Sequence, residues 1–227
     1  MIKQSIIILI MGVSGSGKST IGKLLADSLE WDFSDADAFH SPENIEKMRR
    51  GIPLSEADRI PWLQGLQTAI KHWLEENKNV VLACSALKDS YRQFLLLDSD
   101  GFSVRHCTSL PEAALLYQRL RQRHTSTALP RLRSAQVSTR GSLTTPAAKF
   151  SDNANANAKG ERIKLVYLKG SYELIQMRLQ ERSNHYMSQK LLNSQFDTLE
   201  EPKDAISIDV GQLPQIIVQN IRTALGI

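Results

Sequence analysis

Residues 5–20 leave few folds open to this chain. Ser5 to Met11 is an unbroken apolar run rich in isoleucine, the pattern of a strand buried on both faces. It enters Gly12-Val13-Ser14-Gly15-Ser16-Gly17-Lys18-Ser19-Thr20, which fits G-x-x-x-x-G-K-[ST]. From Lys18 to Leu29 the apolar residues Ile21, Leu24, Leu25 and Leu29 fall at helical spacing. Strand, glycine loop and helix in that order form an anion cradle. The glycines let backbone N–H groups close around phosphate oxygens, and the helix N-terminus adds its positive end. Lys18 is expected to reach the β- and γ-phosphates, and Ser19 to offer its hydroxyl to Mg²⁺. Residues 12–20 are therefore expected to bind a nucleoside triphosphate.

Further along, strand-like and helical segments alternate. Strands are expected over 31–37, 79–84, 163–168 and 205–209. Helices are expected over 42–50 with Ser41 as N-cap, and over 58–76, 88–97, 172–182 and 213–225. This alternation calls for a parallel sheet covered on both faces. Trp62 and Trp73 read as core. A further short helix is expected over 113–123, after Ser109-Leu-Pro-Glu.

The charge is unevenly distributed. The net charge is +4, but residues 101–160 hold nine bases and two acids, which gives that segment +7 and the rest −3. Residues 125–159 are rich in Ser, Thr, Ala and Arg and end in an Asn/Ala repeat, a composition expected to stay largely disordered. The domain organisation read from this is one domain, with a core at 5–97 and 163–226 and an insert at about 101–160. The longest apolar stretch, Ile6 to Met11, is far short of the ~20 residues of a spanning helix. Two cysteines, Cys84 and Cys107, make no disulfide framework, and no Cys/His group has zinc spacing. The expectation is a cytoplasmic protein that engages neither membrane nor nucleic acid.

A phosphate loop alone does not name the phosphoryl acceptor. The Val80–Cys84 run ends in Cys-Ser rather than Asp, and no Asn-Lys-x-Asp motif is present. The remaining motifs are more telling. They include Asp35-Ala-Asp37-Ala-Phe-His40, Gly51-Ile-Pro-Leu54, Asp58-Arg59-Ile-Pro-Trp62-Leu63, Ala83-Cys-Ser-Ala-Leu-Lys88 with Tyr91-Arg92, Leu168-Lys-Gly170, Arg178 with Arg182, His185-Tyr-Met187 and Leu192-Asn-Ser-Gln-Phe196. Together they resemble the gluconokinase family of P-loop small-molecule kinases. The resemblance implies an α/β, three-layer fold like that of shikimate and adenylate kinases, with a central five-stranded parallel sheet. It also implies phosphorylation of D-gluconate at the 6-hydroxyl, with ATP and Mg²⁺ as cofactors, by a homodimer. Two alternatives stay open: another P-loop small-molecule kinase of the shikimate or nucleotide type, and a catalytically weak variant whose basic insert binds an acidic partner.

On that resemblance, Asp37 is expected to act on the substrate hydroxyl as base or orienter, with a water-mediated contact to Mg²⁺, although a helix cap or turn explains it as well. His40 is expected to bond a hydroxyl, although a lone histidine is as readily structural. Asp35 is as readily a turn residue. Arg59 is expected to grip the gluconate carboxylate, with Lys88 and Arg92 completing the anionic pocket, although a solvated helix face explains that pair as well. Arg178 and Arg182 are expected to serve ATP and the transferring phosphoryl, although cations also suit a helix C-terminus. Residues 185–196, including His185 and Gln195, are expected to form a lid over phosphate and substrate.

Overall fold

The computed structural model describes residues 5–96, 162–181 and 189–227, with Gln189 and Lys190 given by backbone alone. Strands β1 (Ile7–Met11), β2 (Asp32–Asp35), β3 (Val80–Ala83), β4 (Ile163–Lys169) and β5 (Ile206–Asp209) form one sheet in the order β2-β3-β1-β4-β5. Every neighbouring pair is parallel, with Ile7 opposite Val80 on one side of β1 and opposite Ile163 on the other. The helices are α1 (Lys18–Leu29), α2 (Pro42–Arg49), α3 (Glu56–Glu75), α4 (Asp89–Leu96), α5 (Tyr172–Gln180), α6 (Gln189–Thr198) and α7 (Pro214–Leu225).

The sheet divides the core in two, as the period of a strand requires. Ile7, Leu9 and Met11 of β1 face Leu63, Leu66 and Ile70 of α3. Ile8 and Ile10 face the layer of Ile21 and Leu25 from α1 and Ile217 and Ile221 from α7. All five β1 residues are buried, which is why the strand tolerates no polar position. Trp62 joins the α3 side of the core, and Trp73 packs against it half-buried.

The expected five-stranded parallel sheet is present, and several element ends move for local reasons. The second strand stops at Asp35, whose carboxylate accepts the Asp37 N–H and turns the chain into a 3₁₀ segment, Ala36–Phe39. Helix α3 starts at Glu56, two residues before expectation, because Ser55 and Asp58 form a reciprocal capping box. Hydrogen bonds from Lys47 and Ser55 pull the Asp58 carboxyl down to about 2, so this cap is charged near neutral pH. Helix α5 ends at Gln180, short of Arg182. Ser41 caps α2 as expected. Among the described residues, no helix is long and apolar enough to cross a membrane. The helix expected over 113–123 and the insert lie outside the described residues.

Gly170 joins β4 to α5 where the packing leaves no room for a side chain. A Cβ there would lie 2.7 Å from Val210 Cγ2 and 2.9 Å from Ile175 Cδ1, and both of those residues are fully buried. Gly170→Ala is expected to destabilise the fold by about 1–3 kcal/mol through overpacking. Urea unfolding monitored by circular dichroism checks this, as a lower midpoint at unchanged slope.

Candidate active site

The phosphate loop follows β1 at the carboxyl edge of the sheet. The strand order reverses about β1, and ligand crevices open at such a point. Gly17 caps α1 in the left-handed region at φ 94°. Gly15 also has positive φ, and a Cβ there would meet Leu179 Cγ at 2.9 Å, so both backbone and packing demand glycine. Lys18 Nζ donates to the Val13 carbonyl at 2.9 Å, which curls the lysine over its own loop. Gly15, Gly17, Ser14, Lys18, Ser19 and Thr20 line one cleft, while Val13 and Ser16 are buried behind it.

Two carboxylates at the end of β2 face this loop. Asp35 accepts the Ser19 hydroxyl through Oδ2 at 2.6 Å and the Asp37 N–H through Oδ1 at 3.1 Å. The turn expected at Asp35 is present, and its other oxygen holds Ser19 of the glycine loop. Asp37 lines the same cleft, as does His40, whose ring stacks on Trp62 at 4.8 Å and 7°. Burial lowers the His40 pKa, with Asp37 opposing and Arg59 adding to the shift, so a neutral imidazole faces the cleft at neutral pH. Its Nδ1 has no hydrogen-bond partner among the described residues.

The cationic end is built from α3 and α4. Arg59 and Tyr91 line the cleft. Behind them, Glu56 accepts from Tyr91 Oη at 2.7 Å, from Lys88 Nζ at 3.0 Å and from Arg59 at 3.5 Å. Burial raises the Tyr91 phenol well above its usual range, so its hydroxyl stays a donor. Lys88 stands just before α4 and is spent on Glu56 rather than on the cleft wall.

Arg92 does not join this pocket. Its side chain is only 3% exposed, and its guanidinium donates to the Ala86 and Leu87 carbonyls, both at 3.0 Å, and to Asp89 at 3.2 Å. The pair Lys88/Arg92 therefore does not act as one face. Arg92 fastens the β3–α4 loop, where Ala86 has φ 39°. Arg178 donates to the Val210 carbonyl at 2.6 Å, beyond β5, and is absent from the cleft lining. Arg182 and His185 lie outside the described residues.

Gln195 does reach the phosphate loop. Its Oε1 accepts the Ser14 N–H at 2.6 Å, which brings α6 against the loop. The segment expected as a lid carries a helix, in which Leu191, Leu192 and Phe196 hold a helical spacing with the two leucines buried. The other end of α6 is fixed by Glu200, whose carboxylate accepts the Asp89 N–H at 2.6 Å. Glu56 belongs to no sequence motif, although it lies one helical turn before Arg59.

Residues 14–158 match the shikimate kinase family model. Over 214 residues the chain is 38% identical to the protein named "Probable gluconokinase" from Mus musculus, with 92% of each chain covered. The chain belongs to the gluconokinase family. Among solved structures, a gluconokinase from Sinorhizobium meliloti 1021 is 29% identical, with a TM-score of 0.62 over 98% of this chain and 93% of that one. A sugar kinase from Janibacter is 30% identical, with a TM-score of 0.66 over 98% and 95%. These matches span β4 and β5 as well, beyond the reach of the shikimate kinase model. Membership of a P-loop kinase family implies use of ATP.

Proposed function

We propose that this protein transfers the terminal phosphoryl group of ATP to the 6-hydroxyl of D-gluconate, giving 6-phospho-D-gluconate. The observation that carries this is one cleft holding both a triphosphate loop and, on α3 and α4, a cationic and hydroxyl-bearing wall. An open-chain sugar acid needs just these two ends, with polar groups for its hydroxyls.

The loop N–H groups and Lys18 bind the phosphates of ATP. Asp37 orients the 6-hydroxyl and accepts its proton as the oxygen–phosphorus bond forms and the bond to ADP breaks. Neutral His40 bonds a substrate hydroxyl, and Arg59 grips the carboxylate. The Ser19 hydroxyl and Asp35 carboxylate fit Mg²⁺, which takes few protein oxygens and the rest from phosphate and water. Among the described residues no group of three or more His, Cys, Asp or Glu forms a protein-only metal cage, in keeping with such a site. When bound there, Mg²⁺ neutralises charge on the transferring phosphates. Asp35 thus supplies from β2 the carboxylate that β3, followed by Cys84-Ser85, does not.

A coupled ATP-turnover assay with D-gluconate, shikimate, glycerate and nucleoside monophosphates tests the reading. Gluconate is expected to give the highest kcat/KM. Arg59→Ala is expected to raise the gluconate KM roughly 30-fold or more, the loss of a charge-assisted pair in a half-buried site, with the ATP KM little changed. Preferred turnover of shikimate or a nucleotide would overturn the assignment.

A further inference from the structure

A single carboxylate oxygen, Glu56 Oε1, gathers Tyr91 Oη, Lys88 Nζ and an Arg59 nitrogen within 3.5 Å. Two of these three donors are cations. Glu56 and Lys88 stand behind the cleft wall, whereas Arg59 and Tyr91 form it. Among the described residues only one terminal nitrogen of Arg59 is hydrogen-bonded, which leaves the other edge of the guanidinium for a ligand. Two neighbouring carboxylates are matched, Asp58 with Lys47 at 2.7 Å and Asp89 with Arg92 at 3.2 Å, while Asp37 lies across His40 on the hydroxyl side of the same cleft. Taken by itself, the cluster carries a net charge of one: Arg59 and Lys88 less Glu56. Burial works to raise the Glu56 carboxyl, but hydrogen bonds from Tyr91 and Lys88 and the charges of Lys88 and Arg59 outweigh it, so Glu56 stays ionised at neutral pH.

We infer that Glu56 is a specificity residue that sets the acid-binding end of the cleft for a monoanionic carboxylate and against a dianionic phosphate monoester. This rests on the proposed function, because it assumes that the acceptor's acid group lies on Arg59. The discrimination has chemical use. The product carries a phosphate at one end and a carboxylate at the other. Bound end for end, it would place its phosphate on Arg59 and block the cleft. A net charge of one satisfies a carboxylate, whereas a net charge of two would favour the phosphate. At an effective dielectric between those of surface and interior, one unit charge a few ångströms away is worth about tenfold or more in binding.

The test uses D-glucitol 6-phosphate, which has a phosphate at one end and a primary alcohol at the other. Its competitive Ki against D-gluconate is measured for the wild type and for Glu56→Gln, alongside the gluconate and ATP KM. Glu56→Gln is expected to lower the ratio of this Ki to the gluconate KM about tenfold. Lys88→Met removes a positive charge and is expected to move the ratio the opposite way, which keeps the inference testable should Glu56→Gln fold poorly. A ratio within twofold of wild type in both variants, in an enzyme that phosphorylates gluconate, overturns this inference alone. Absence of gluconate turnover in the wild type brings down the functional reading, and this inference with it.

Discussion

Lys18→Ala is expected to lower gluconate-dependent ATP turnover by about 10²–10³-fold, the usual loss when one preorganised donor to a developing charge is removed. The residue opens α1, and its amine already lies over the loop on the Val13 carbonyl at 2.9 Å. Bound triphosphate offers that amine an anionic oxygen in place of a neutral one, a stronger partner. The charge on the transferring group is redistributed during transfer, so the loss should fall on kcat as well as on ATP binding. Folding should not suffer, because Lys18 is half-exposed and the helix behind it is held by buried Ile21, Leu25 and Ala26. Steady-state kinetics with a parallel thermal melt check this. Near-wild-type turnover in a folded protein would remove the loop from the mechanism.

Where sequence was informative, the signal was redundant. The β1 run, the glycines and the α1 periodicity all demanded the same strand–loop–helix, and α1 spans Lys18 to Leu29 as read. Alternation of short apolar runs with helices required the parallel sheet. The site was less legible where one residue type serves two purposes. Arg92 shares helical spacing with Lys88, and nothing local says that its guanidinium turns inward to hold two backbone carbonyls. Asp35 satisfies a turn through one oxygen and Ser19 through the other, and only the second contact, 16 residues away, reveals its larger role. Helix α6 is mostly polar, and its place depends on Gln195 meeting a loop 181 residues earlier. Pairings of that range are set by topology, which local pattern does not contain.

Asp37→Asn separates the two carboxylates of the cleft. The 3₁₀ segment that carries Asp37 is fixed on both sides: Asp35 accepts the Asp37 N–H, and Ala36, fully buried, accepts the Trp62 indole N–H at 2.7 Å. Those contacts use the Asp37 backbone and its neighbours, so asparagine, nearly isosteric, should leave the turn in place. On the proposed function, what it removes is the acceptor for the 6-hydroxyl proton. A drop in kcat of about 10²–10⁴-fold is expected, the range for loss of a general base, with ATP affinity and the Mg²⁺ requirement close to wild type. Asp35→Asn should behave differently, because Asp35 faces Ser19. It should raise the Mg²⁺ concentration needed for half-maximal turnover. Titrating Mg²⁺ at saturating ATP and gluconate in both variants distinguishes the roles. A raised Mg²⁺ requirement in Asp37→Asn, with a kcat loss confined to Asp35→Asn, would exchange the two assignments. The base would then be the carboxylate already hydrogen-bonded to the phosphate loop.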